Sequence, residues 1–174
     1  MSESLTNQTK GSKWIHDVRA FCQRQGWTSL AMENPPRLLV EWPVNGKSML
    51  VQVASYQGWA LMLLVPLGNV PEEIRQATLL ASSVLNYRLP VACLEMEPLQ
   101  GDVRARVTLT PEGELSEHLL KRAFQALEEA ITEFAMGVEA FRTLQKAAEA
   151  MEHPPATREA EAEVLLWNSR PATD

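Results

Sequence analysis

The sequence is poor in cysteine and histidine, lacks an excess of basic charge and has no long apolar run. Each shortage excludes something. Two cysteines, Cys22 and Cys93, stand alone in 174 residues. Neither has a Cys-x-x-Cys partner, so no disulfide framework is expected. The three histidines, His16, His118 and His153, lie far apart in the chain. A zinc site draws on about four clustered ligands, so neither a metal nor any other cofactor is expected. The 8 glycines are scattered, without a G-x-G-x-x-G, P-loop or G-x-S-x-G pattern. Lysine and arginine number 16 against 22 acids, a net charge of -6. Nucleic-acid binding takes most of its affinity from phosphate neutralisation, and only Arg104 and Arg106 approach a basic cluster. An anionic membrane surface is disfavoured for the same reason. The longest apolar run, Trp59 to Leu67, falls well short of the roughly 20 residues that span a bilayer. The first 13 residues are polar and lack the apolar core of a secretion signal. A cytoplasmic protein without nucleic acid or membrane insertion is therefore expected.

What is present reads as one folded domain. Hydrophobic residues make up 45% and charged residues 22%, ordinary values for a globular chain. Residues 1–12 are expected to be loose. Ser12 is placed to cap a helix over 13–25, closed by Gly26, with Trp14, Val18 and Phe21 on one face. Arg37–Val44 and Lys47–Ser55 flank Asn45-Gly46, the signature of a type I′ hairpin. A two-residue loop sets Trp42 opposite Met49, Val40 opposite Val51 and Leu38 opposite Val53. Trp59–Pro66 follows as a strand apolar on both faces. A further strand is expected within 27–32. Pro71, Glu72 and Glu73 open a helix over 71–85, which Asn86 ends.

A third hairpin joins 89–97 to 102–110 through Pro98-Leu99-Gln100-Gly101. Its register sets Glu95 opposite Arg104 and Cys93 opposite Arg106 on one face. Met96–Val103, Leu94–Ala105 and Ala92–Val107 form the other. Ser116 caps a long helix over 116–150. Leu120, Phe124, Leu127, Ile131, Phe134, Val138 and Phe141 form a heptad seam along it, either core or interface. Pro154-Pro155 ends the helix, and 151–174 reads as a flexible acidic tail outside a single α+β domain over 13–150.

No catalytic constellation emerges. Glu95 and Glu97 share a strand face, as an acid–base pair would, but arginines opposite them supply ordinary ion pairs. Cys93 has no histidine near it in the register. Two apolar features are unexplained by a core. One is the second sheet face, with Leu39, Leu50, Met62 and Leu64 beside Ala60. If helices cover only the first face, these residues are exposed, and a contiguous apolar patch marks an interface. The other is Leu165, Leu166 and Trp167 in the acidic tail, read as a docking segment, as a motif for a partner or as idle.

The stretch LLASSVLNYRLPVACLEMEPLQGDVRARVTLT (79–110) carries a resemblance. A helix ending in Leu85-Asn86, an apolar strand, a turn at Gly101, a second strand and a helix opened by Leu115-Ser116 resemble the YbjN-type family. That family in turn looks like the type III secretion chaperone fold. The similarity covers about residues 13–145. It implies a small acidic α+β domain with an antiparallel twisted sheet of about five strands, an N-terminal, a middle and a long C-terminal helix. It further implies a frequent homodimer that binds another polypeptide and catalyses nothing. The expected function is thus a non-enzymatic chaperone-like or adaptor module, with Leu39, Leu50, Met62, Leu64, Leu165, Leu166 and Trp167 as partner contacts. A tail-driven regulator and a small-ligand sensor are the alternatives.

Overall fold

The computed structural model describes residues 2–33 and 35–152, with side chains from 11 to 33, from 35 to 141 and at 143. Three helices and six strands follow in the order α1 (Ser2–Arg24), β1 (Thr28–Met32), β2 (Arg37–Val44), β3 (Lys47–Tyr56), β4 (Ala60–Asn69), α2 (Glu72–Arg88), β5 (Ala92–Met96), β6 (Asp102–Leu109) and α3 (Glu117–Glu152). The strands form one antiparallel sheet in the order β1-β2-β3-β4-β6-β5. This is an α+β fold with an open sheet. The chain divides into two compact units, Met1–Ala135 and Met136–Asp174, with the division inside α3.

Both hairpin registers match the expectation from turn chemistry. Trp42 pairs with Met49, Val40 with Val51 and Leu38 with Val53. Asn45 and Gly46 both take positive φ, as the type I′ turn requires. Across the second hairpin Glu95 meets Arg104 and Cys93 meets Arg106. Alternation then buries one face of the sheet. Leu38, Val40, Val51, Val53, Leu61 and Leu63 are among its fully buried side chains. They pack with Trp14, Val18 and Phe21 of α1 and with Leu120, Phe124 and Leu127 of α3. Phe124 is the aromatic hub, with ring centroids 4.8 Å from Trp27, 5.3 Å from Trp42 and 5.8 Å from Phe21. Such edge and offset arrangements suit the ring quadrupoles.

The heptad seam is therefore core over its first half, with Ile131 and Phe134 packed against the same cluster. In the second unit the described part is helix, and Met136 and Phe141 are exposed there. Ser116 caps α3 as expected: its hydroxyl accepts the Leu119 amide at 3.1 Å.

Four local expectations differ from the structure. The segment 1–12 is helical from Ser2 rather than loose. Extending a formed helix costs far less than starting one, so a polar prefix follows the buried part of α1. Gly11 lets that extension pass the β3–β4 hairpin, because a Cβ there would strike the Ser55 hydroxyl. The strand expected to begin at Trp59 begins at Ala60, so Trp59 does not join the buried face of Leu61 and Leu63. The turn through Gln57 and Gly58, both at positive φ, delays β4 to Ala60. Trp59 is left 54% exposed, edge-on to Tyr56. Finally, β5 begins at Ala92 rather than at Leu89, and α2 runs past Asn86 to Arg88.

Asn86 does not end the helix but bonds across to β5. Its side chain accepts the Leu94 amide at 2.7 Å and donates to the Leu94 carbonyl at 2.9 Å. Arg75, one turn into α2, ties the same hairpin from its other end. It donates to the carbonyls of Val70, Leu99 and Gln100.

Candidate partner-binding face

The second face of the sheet is covered by neither α1 nor α3. Because directly paired residues point to the same side, the registers assign its members. One row across the sheet reads Leu30, Leu39, Gln52, Leu64, Arg106, Cys93. A neighbouring row reads Met32, Arg37, Ala54, Met62, Thr108. Leu50 sits opposite Glu41 in the row on the other side. None of these residues is buried.

The expected residues Leu39, Leu50, Met62 and Leu64 thus lie together on three adjacent strands. Leu50 is 47% exposed, while Leu39, Met62 and Leu64 are partly exposed. Ala60, at the start of β4, is buried and does not contribute to the patch. Leu30 and Met32 of β1 extend it, with Leu30 63% exposed. The sequence gives little sign of them because β1 shows no alternation of burial; their pairing with Leu39 and Arg37 is what places them. Leu165, Leu166 and Trp167 lie outside the described residues.

The face changes chemistry toward β6 and β5. Glu95 receives Arg104 at 2.8 Å and Arg106 at 2.6 Å, and the Cys93 thiol lies 3.9 Å from Glu95. Glu95 is thus engaged by two guanidiniums, and Glu97 accepts the Gln100 amide in the turn. The two carboxylates are set in separate interactions rather than facing each other across a site. Between the apolar and charged halves, β4 shifts register at Pro66 and Gly68. A bulge there bends the strand. An open groove of about 840 Å³ lies alongside, lined by Leu64, Pro66, Met96 and Val103 with Glu95 and Arg104.

Chemistry elsewhere is sparse. Burial pushes the Cys22 thiol up to about 12, which makes it an inert core group. Among the described residues no three His, Cys, Asp or Glu side chains are grouped to hold a metal ion. No helix among them is long and apolar enough to cross a membrane.

A second exposed stripe lies outside the expected contacts. Leu80, Val84 and Tyr87 line the outer side of α2, at 71%, 62% and 94% exposure, and Val91 continues it. Leu85 and Leu89 face the core instead. The spacing 80, 84, 87 is a helical one and is legible in the sequence, while Val91 lies in the loop after α2. A helical apolar stripe ordinarily signals core, which hides its exposure from a reading of spacing alone.

No family model and no curated protein matches the chain. Solved structures do match. YbjN of E. coli superposes with a TM-score of 0.54 at 11% identity, covering 72% of this chain and 90% of that one. A chain of the heterodimeric ExoU–SpcU complex from the type III secretion system of Pseudomonas aeruginosa gives 0.50 at 16%, covering 68% and 94%. A protein from Methanothermobacter thermautotrophicus gives 0.51 at 14%, covering 71% and 96%. The chain therefore has the fold shared by YbjN and by a chain of this type III secretion complex.

Proposed function

We propose that this chain is a non-enzymatic, chaperone-like or adaptor module that receives a segment of a partner polypeptide on its open sheet face. The observation that carries this reading is the unburied apolar patch of Leu30, Leu39, Leu50, Met62 and Leu64 beside an otherwise well-covered core. A chain that packs so many apolar side chains fully under helices has no folding reason to leave these in water. The ExoU–SpcU complex, a heterodimer in which one chain has this fold, supports a polypeptide as the occupant. Hydrophobic packing on the face and strand addition at an edge are the two modes available to an extended segment. We place the protein in the cytoplasm on the acidic, cysteine-poor composition.

The chain is further proposed to act as a homodimer through α2. Its exposed stripe of Leu80, Val84 and Tyr87 is self-complementary in kind: apolar, narrow and helical, with Val91 exposed just beyond the helix end. Leu165, Leu166 and Trp167 remain a separate contact candidate, which deletion of residues 153–174 would isolate.

The face is tested with Met62→Lys combined with Leu64→Lys in the tagged full-length chain. The expected result is loss of a stoichiometric partner recovered by the native chain, with unchanged circular dichroism and thermal midpoint. Equal recovery by both chains would overturn the assignment, as would unfolding of the milder Met62→Ser variant.

A further inference from the structure

An open sheet has two edges, here β1 and β5, and they are treated differently. In an antiparallel ladder the backbone groups of successive residues point alternately toward one neighbour and the other. The Glu97 amide donates to the Asp102 carbonyl at 2.9 Å, which fixes the phase of β5. Glu97, Glu95 and Cys93 therefore bond inward to β6, while Ala92, Leu94 and Met96 direct their N–H and C=O groups outward. The middle one, Leu94, has both groups taken by the Asn86 carboxamide, at 2.7 and 2.9 Å. A carboxamide has the same donor and acceptor as a peptide group. It occupies the position where the backbone of an added strand would bond.

Among the described residues the other edge carries no such plug. The two-residue loop at Asn45-Gly46 makes Val44–Lys47 a mutually bonded pair, so Val44, Trp42, Val40 and Leu38 bond toward β3. Glu41, Leu39 and Arg37 then bond toward Thr28, Leu30 and Met32. Ser29 and Ala31 are left pointing outward, and no side-chain hydrogen bond from another described residue reaches them.

We propose that Asn86 is an edge guard: it closes β5 to strand addition, so that this sheet accepts an added strand at β1. The occupant of β1 is an extended segment of the partner polypeptide, and that half rests on the function proposed above. The geometry favours it, since a strand beside Ser29 and Ala31 lies next to Leu30 and Met32, the exposed margin of the apolar patch. The occupant of an unguarded β5 would be the β5 of a second copy, since unpaired edges of identical chains are complementary to one another.

The test uses the isolated full-length chain, so it can fail independently of the partner-capture experiment. In native protein, hydrogen exchange read residue by residue should be slow at the Leu94 amide and fast at Ser29 and Ala31. Equal rates at the two edges would overturn the guard, and this measurement needs no variant. In Asn86→Ala at low concentration, Leu94 exchange should accelerate about tenfold, the loss of one buried bond pair. At rising concentration sedimentation should show species larger than the native state, and Leu94 should regain protection within them. Native sedimentation of the variant at all concentrations would overturn the proposal. So would association that leaves Leu94 fast, because contact would then lie elsewhere.

Discussion

Leu63 and Leu64 are neighbours on β4, and truncating each to alanine should cost very different amounts of stability. Leu63 is fully buried between the sheet and the helices. Leu64 faces the other way, beside Gln52 and Arg106, and is partly exposed. Removing a fully buried leucine side chain costs about 2–5 kcal/mol, the lost transfer energy plus the cavity left behind. A packed site between two α-helices and a sheet relaxes little, so about 3 kcal/mol is expected for Leu63→Ala. Leu64→Ala leaves no enclosed cavity and forfeits only the area its neighbours cover. At about 25 cal/mol per Å² that is about 1 kcal/mol or less.

Urea unfolding followed by circular dichroism separates the two. With a slope of about 2 kcal/mol per molar, the midpoint should fall by about 1.5 M for Leu63→Ala and by less than about 0.5 M for Leu64→Ala. Equal losses would mean that the second face is packed as tightly as the first. The reasoning from an uncovered face to a partner would then collapse.

Three further outcomes follow from the structure. Replacing Leu80 and Tyr87 with aspartate should shift sedimentation from dimer to monomer without lowering helix content; an unchanged sedimentation coefficient would remove α2 as the contact. A thiol reagent at pH about 8 should label one cysteine, Cys93, in folded protein and two after unfolding, since Cys22 is both buried and held about four decades from its thiolate. The hydrogen bond from Lys13, and then its charge, holds the Glu114 carboxyl below the usual value of 4.5. A depressed acid stabilises the fold above its unfolded value and loses that contribution as pH falls. Melting points of native protein should therefore drop more steeply below pH 4.5 than those of Glu114→Gln.

The legible and illegible parts of this fold differ in the range of the interactions behind them. Asn45-Gly46 and the four-residue loop before Asp102 specify two registers locally, because turn geometry and alternation each determine the same pairing. Leu39, Leu50, Met62 and Leu64 can therefore be grouped on one face from sequence. Whether helices cover that face depends on where α1 and α3 dock, which no local pattern states. Trp59 shows the opposite failure. Its apolar character and its place two residues before Leu61 suit a core, but the left-handed turn at Gln57 and Gly58 takes it out of the strand. Asn86 reads as a helix terminator because asparagine favours helix ends. Its actual partner is eight residues away on another element, and the sequence carries no sign of that bond.

The grip of α2 on the β5–β6 hairpin has a consequence for how the molecule opens. Arg75 holds the turn by the Leu99 and Gln100 carbonyls and also bonds Val70 just before its own helix, and Asn86 holds the strand at its middle. Side-chain hydrogen bonds thus span one helix and one hairpin, both near the end of the sheet. Neither piece can detach without breaking bonds of the other, so helix and hairpin should open as one cooperative unit. Exchange of the deeply paired β6 amides would then track the melting of α2, and anything that clamps the outer side of that helix would slow the release of the strands behind it.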